Sequence, residues 1–306
     1  MKIYLISLFL CLSLTAQDKL LIFSKTAGYR HGSIEVGIQA LTKLAEQHNY
    51  QVTSSEDSQI MTDKNLKNYR AIIFLSTTGD ILNKDQQLAF QRFIQSGGGF
   101  VGIHAASDTE YDWPWYMRLI GAQFSHHPEV QQAVQEKCDC KHQAIDFLPQ
   151  KWSRKDEWYN FKNISPNISP LLMLDESTYK GGENGDFHPS SWYQEYDGGR
   201  MFYTAGGHTK ESFNEPLFLK HILGGIHYVC AGQEKDYTKA LPDDDNFSLE
   251  TLSKALNDPI PIAVSPDDQV FILERKGSIK LVSSGHTNEL HQLDAIYKEI
   301  APKQAQ

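Results

Sequence analysis

The sequence predicts an α/β protein built on a mostly parallel sheet, and two observations carry that reading. Short, continuous apolar runs at 20–23, 71–75 and 100–103 are what strands covered on both faces require. Between them lie segments of helical period with short connections, in the order strand, helix, strand, strand, helix, strand.

The run at 20–23 leads into a loop, 24–32, and from Ser33 into a helix pattern with Ile34, Ile38, Leu41 and Leu44 on one face. A polar strand at 51–54 precedes the buried strand 71–75. Asn83 is placed to cap the next helix, whose Leu88, Phe90, Phe93 and Ile94 lie mostly on one side and which Gly97, Gly98 and Gly99 terminate. Strand 100–103 follows. In open α/β sheets ligands bind beyond the carboxyl ends of the strands. That edge receives Tyr29, Arg30 and His31 after one strand, Thr77 to Asp80 after another, and His104 to Asp108 after a third. Past about residue 119 the pattern turns antiparallel, with runs at 130–134, 171–174 and 201–204. A closing helix is expected over 213–229 with Ser212 as its cap, and the acidic residues Asp243, Asp244 and Asp245 mark a linker.

The 306-residue chain is 40 % hydrophobic, enough for a full core, and its formal charge of -9 excludes a nucleic-acid binder working by charge alone. Lys2, the apolar stretch 3–14 and Ala16 read as a secretory signal over residues 1–16, too short to span a bilayer. The expected product is therefore exported, periplasmic or extracellular, with no membrane attachment once the signal is removed. Removing the signal takes Cys11 with it and leaves three cysteines, which is no disulfide framework. Cys138, Cys140 and His142 supply at most three ligands where a structural zinc site takes four, so ordinary turn or strand residues are expected there.

At four places the residues carry a family resemblance. These are Gly97-Gly98-Gly99-Phe100-Val101-Gly102-Ile103-His104-Ala105-Ala106-Ser107-Asp108, His127-Pro128, Asp156-Glu157-Trp158-Tyr159, and Phe202-Tyr203-Thr204-Ala205-Gly206-Gly207-His208-Thr209. Together they resemble the ThuA-like (trehalose utilisation) domain, here over 19–232. The resemblance implies a flavodoxin-like, class I glutamine amidotransferase-like three-layer sandwich with a mostly parallel sheet. Those amidotransferases place a cysteine nucleophile at a tight strand-to-helix turn. The matching turn here is Gly102-Ile103-His104-Ala105-Ala106, so glutaminase chemistry is not expected.

His104 stands at the end of a strand where such folds display a reactive group, and a neighbouring loop should present His31 beside the helix start at Ser33. The resemblance places Glu157 and His208 at the same pocket. Three imidazoles and a carboxylate suit either a divalent transition-metal site with an open position or metal-free acid–base catalysis. Asp108 either orients a histidine or caps the helix that follows. Tyr29, Arg30, Trp113, Trp158 and Tyr159 are the substrate-binding candidates, the aromatic ones either stacking on sugar faces or filling the core. The family's association with disaccharide use implies a keto-sugar or 3-keto-glycoside substrate made by a partner sugar oxidoreductase, and isomerase, lyase or hydrolase chemistry. The alternative is a non-catalytic carbohydrate-binding or accessory module.

Beyond a linker at 233–258, residues 260–279 resemble the opening blade of the glucose/sorbosone dehydrogenase β-propeller. One or two strands are expected in 259–306, whereas a propeller takes about four or more blades. That segment reads as a truncated propeller-like remnant, with a hairpin over 270–282 and a short helix near 290–300, and the quinone-dependent activity of that family is not implied.

Overall fold

The computed structural model describes residues 17–232, 234–241, 253, 256–265, 269–283 and 286–292. The chain divides into two units, the first ending at Leu241 and the second beginning at Pro242. In the first unit the order is β1 (Lys19–Phe23), α1 (Ile34–Gln47), β2 (Gln51–Ser55), α2 (Asp63–Leu66), β3 (Ala71–Leu75), α3 (Lys84–Gln95), β4 (Gly99–Ile103) and α4 (Pro114–Ile120). It continues through β5 (Gln123–His126), β6 (Gln131–Lys137), β7 (Lys151–Asp156), β8 (Asn160–Lys162), β9 (Ser169–Asp175), β10 (Pro189–Tyr196), β11 (Gly199–Thr204) and α5 (Pro216–Cys230).

Nine strands form one sheet in the order β2-β1-β3-β4-β11-β10-β9-β6-β7. The first five are mutually parallel, and from β11 onward each neighbour is antiparallel to the last. Alternation therefore points β7 the same way as β4 and β11, so the carboxyl ends of β1, β4, β11 and β7 share one edge. The polar strand β2 is tolerated because it lies at the sheet's rim, half-exposed.

The two faces of the sheet bury separate cores, as side-chain alternation along each strand demands. Leu21, Phe23, Ile72, Phe74 and Phe100 pack with Phe90 and Phe93 of α3 and Tyr116 of α4. Leu20, Ile22, Ile73, Val101 and Phe202 pack with Leu41 of α1 and with Ile222 and Ile226 of α5. The result is the three-layer α/β/α sandwich. Asn83 does cap α3, in a reciprocal box with Gln86, and Gly97 follows the helix in the left-handed conformation (φ 103°). The closing helix starts later than expected. Pro216 occupies its first turn, where a missing N–H costs nothing, and Ser212 lies in a preceding 3₁₀ turn with its hydroxyl committed elsewhere.

The first unit runs past 232, because the Asp236 amide donates to Ser96 O and the Lys235 ammonium donates to Leu66 O and Lys67 O. Asp243 to Asp245 lie outside the described residues. The second unit contains a four-stranded antiparallel sheet, β12 (Pro259–Val264), β13 (Val270–Glu274), β14 (Ser278–Ser283) and β15 (His286–Gln292), joined in that order. The hairpin of β13 and β14 is present, with two further strands beside it. Leu290 to Gln292 close β15 rather than opening a helix, and 293–300 lie outside the described residues. Among the described residues no helix is long and apolar enough to cross a membrane.

Candidate functional site

His104 is the first residue after β4 and has φ 52°, a conformation unusual for a side-chain-bearing residue and typical of a sharp strand-to-helix turn. The turn is held from β11, where the Tyr203 hydroxyl donates to His104 O at 2.7 Å. His104 is fully buried, and its Nδ1 faces Ala205 O at 2.8 Å. That contact makes Nδ1 a donor and directs Nε2 at the site.

Three polar atoms crowd Nε2. His31 Nε2 is 3.1 Å away, the Tyr159 hydroxyl 3.0 Å and Glu157 Oε2 3.5 Å. His208 Nδ1 lies 3.0 Å from the same carboxylate oxygen but out of line for a hydrogen bond. One ring nitrogen makes one hydrogen bond, so hydrogen bonding alone does not use this arrangement fully. The ligand atoms of His31, His104, Glu157 and His208 all fall within 4.8 Å of one another. Atoms bonded at about 2.1 Å to one ion sit roughly 3.4 Å apart around a tetrahedron, so the donor set suits a divalent transition metal in chemistry, with three separations of 3.0–3.5 Å near that spacing and the widest needing to close on binding.

Electrostatics prepares the same residues. Burial pushes the His31 imidazole down to about 3, with His104 and His208 adding to the shift, so it is neutral at physiological pH. Burial would raise the Glu157 carboxyl, but His104 and His208 outweigh it and hold it well below the usual carboxylate range. His208 shows the converse balance: burial lowers it, and the Glu157 carboxylate beside it carries it above its ordinary value. A neutral His31 and an ionised Glu157 are the forms that bind metal, whereas His208 has to release its proton as an ion binds.

His31, Glu157 and His208 line the floor of a cavity of about 490 Å³, and His104 is fully buried beneath them. The ribbon of β5 and β8 supplies its wall through Phe124 and Tyr159, whose rings lie 4.3 Å apart, and Tyr29 stands exposed at the rim against His31. Asp108 lines the cavity too, its carboxyl raised by burial. It neither orients a histidine nor caps α4: it accepts from the Tyr111 hydroxyl at 2.6 Å, while α4 starts at Pro114 without a side-chain cap.

Of the substrate-binding candidates, Tyr29 and Tyr159 reach the cavity and the others do not. Arg30 points away into a clamp with Glu35 and Glu56. Trp158 is fully buried, packed with Ala133 and Leu174, and donates from its indole to Gln131 O; Trp113 is buried and stacked on Trp115. Neither tryptophan offers a sugar a face. Two residues that sequence reasoning did not single out do belong. His127 Nδ1 contacts Glu157 Oε1 at 3.1 Å from the cavity wall, and Asp156 lies beneath the cluster. The His127-Pro128 and Asp156-Glu157 pairs were the signals for both. His188, held between Glu176 and Tyr159 O, and His221, bonded to Ala144 O, are structural. Cys138 and Cys140 are free thiols, and with His142 they form no metal cluster among the described residues.

The family model for trehalose utilisation, ThuA, matches residues 19–229. Among solved structures, a ThuA-like protein from Bacteroides uniformis is similar at 24 % identity, with 69 % of this chain and 91 % of that chain covered and a TM-score of 0.59. A second, from Parabacteroides merdae, shares 18 % identity over 74 % of this chain and all of its own, at a TM-score of 0.61. A cytoplasmic protein from Salmonella typhimurium shares 13 % identity, with coverage of 69 % and 99 % and a TM-score of 0.52. At such identities the likeness is one of fold. A comparison with curated proteins gives no match.

Proposed function

The chain belongs to the ThuA (trehalose utilisation) family, and from that premise we propose that it is an enzyme acting on a keto-sugar or 3-keto-glycoside, with His31, His104, Glu157 and His208 holding one divalent transition metal. The observation that carries this reading is the convergence of those four ligand atoms within 4.8 Å of one another, with His31, Glu157 and His208 lining a cavity. The cavity wall adds specificity. It carries Asp108, Glu129 and Glu157 and no lysine or arginine, a lining that suits an uncharged polyol over a phosphorylated sugar.

A bound ion would supply Lewis acidity to a ketone or enediolate oxygen. The chain's own groups do the remaining work. Tyr159 and Phe124 flank the sugar, the Ala205 carbonyl orients the His104 ring, and a carboxylate or imidazole of the site takes the proton α to the ketone. Loss of that proton leads to isomerisation, or to departure of the glycosidic oxygen followed by hydration. A sugar oxidoreductase would supply the ketone. Protein loaded with zinc, manganese or nickel is expected to convert a 3-keto-disaccharide. Substrate left unchanged with all three ions contradicts the catalytic reading, and sugar binding without turnover would instead indicate an accessory module.

Export belongs to the same proposal. Cleavage after Ala16 leaves β1, which begins at Lys19, intact. N-terminal sequencing of the exported protein is expected to start at Gln17, whereas retention of residues 1–16 on a protein confined to the cytoplasm would contradict it.

A further inference from the structure

We propose that Asp156 is a positioning residue that assembles the four-residue cluster by tying the edge strand β7 to the loop that follows β11. The inference rests on reading His31, His104, Glu157 and His208 as one ligand set, and it concerns how two of the four come together. Glu157 follows β7, the outermost strand, and His208 follows β11, with β10, β9 and β6 between them in the sheet. No ladder hydrogen bonds join β7 to β11, so the sheet must curl and something else must close the arc.

The Asp156 side chain closes it. Its Oδ1 accepts from the amides of Glu157 (3.0 Å) and His208 (3.1 Å), the two residues whose side chains meet at the cluster. Its Oδ2 accepts from the Gly207 amide (2.9 Å) and the Ser212 hydroxyl (2.8 Å). The carboxylate is completely buried, and the Arg154 guanidinium lies 3.3 Å away. Arg154 is itself held by Glu215 at 2.7 Å and by the face of Phe218. Gly206 makes the approach possible, since a Cβ there would lie 2.5 Å from an Arg154 nitrogen and 3.1 Å from Asp156 Oδ2. A buried carboxylate with both oxygens saturated fixes its donors far more tightly than loop backbone would be fixed alone.

The test is Asp156→Asn, which keeps the size but turns an N–H₂ group toward donors. Zinc affinity is measured by competition with a chromophoric chelator, and exchange of the Gly207 and His208 amides by NMR. We expect affinity to fall about tenfold or more, as is usual for partners that orient metal ligands, and both amides to exchange faster while those of β4 and β11 keep their protection. Wild-type affinity together with wild-type exchange at Gly207 and His208 would overturn the proposal. If the wild-type chain itself binds no zinc, the metal reading fails, and the exchange measurement still decides the positioning role. Should Asp156→Asn not fold, Ser212→Ala removes a single donor and is expected to speed exchange at Gly207 severalfold; unchanged exchange there would equally overturn it.

Discussion

Protein loaded with zinc is expected to carry about one ion per chain, and its His104→Ala variant essentially none, by elemental mass spectrometry. His104 is the most deeply buried member of the cluster, and its Nε2 faces His31, Tyr159 and Glu157. Truncation removes that ligand atom and leaves Ala205 O without its partner, a cost of about 1–3 kcal/mol. A unit with two extensive cores tolerates that loss, so the variant should remain folded and the metal loss should be a site effect. Asp108→Asn is the contrasting variant. Asp108 lines the cavity but bonds to Tyr111, so this change should leave the metal in place. Equal metal in wild type and His104→Ala would show that any bound ion sits elsewhere.

Trp158→Ala is expected to destabilise the first unit by about 3–5 kcal/mol, which lowers its melting temperature by about 10 °C. The side chain is fully buried, fills the space between Ala133 and Leu174, and satisfies Gln131 O with its indole N–H. Deleting it leaves a cavity and removes the indole donor from Gln131 O. A sugar-stacking tryptophan would behave in the opposite way, with ligand affinity lost and the melting temperature preserved, and thermal unfolding with and without sugar separates the two.

The parallel half of the fold was legible because each strand covered on both faces leaves an unbroken apolar run, as in Ala71 to Leu75. From the same reasoning came the edge on which His31 and His104 stand. The aromatic residues were less legible. Composition marks Trp113 and Trp158 as large and amphipathic, but whether such a ring faces a cavity or a core depends on packing partners far along the chain. Helix α5 illustrates a local signal read in the wrong place, because Pro216 rather than Ser212 sets its start. Asp156 stands in the Asp156-Glu157 pair, but its role was not legible there, for a different reason. Its role depends on a curl that brings an edge strand to a central loop, and no local pattern encodes that distance.

Anomalous diffraction from crystals of the zinc-loaded protein shows whether these four residues hold one ion. One strong peak is expected about 2.0–2.3 Å from ligand atoms of His31, His104, Glu157 and His208. A map with no peak there, or with its only peak at Cys138, Cys140 and His142, would contradict the proposed metal site.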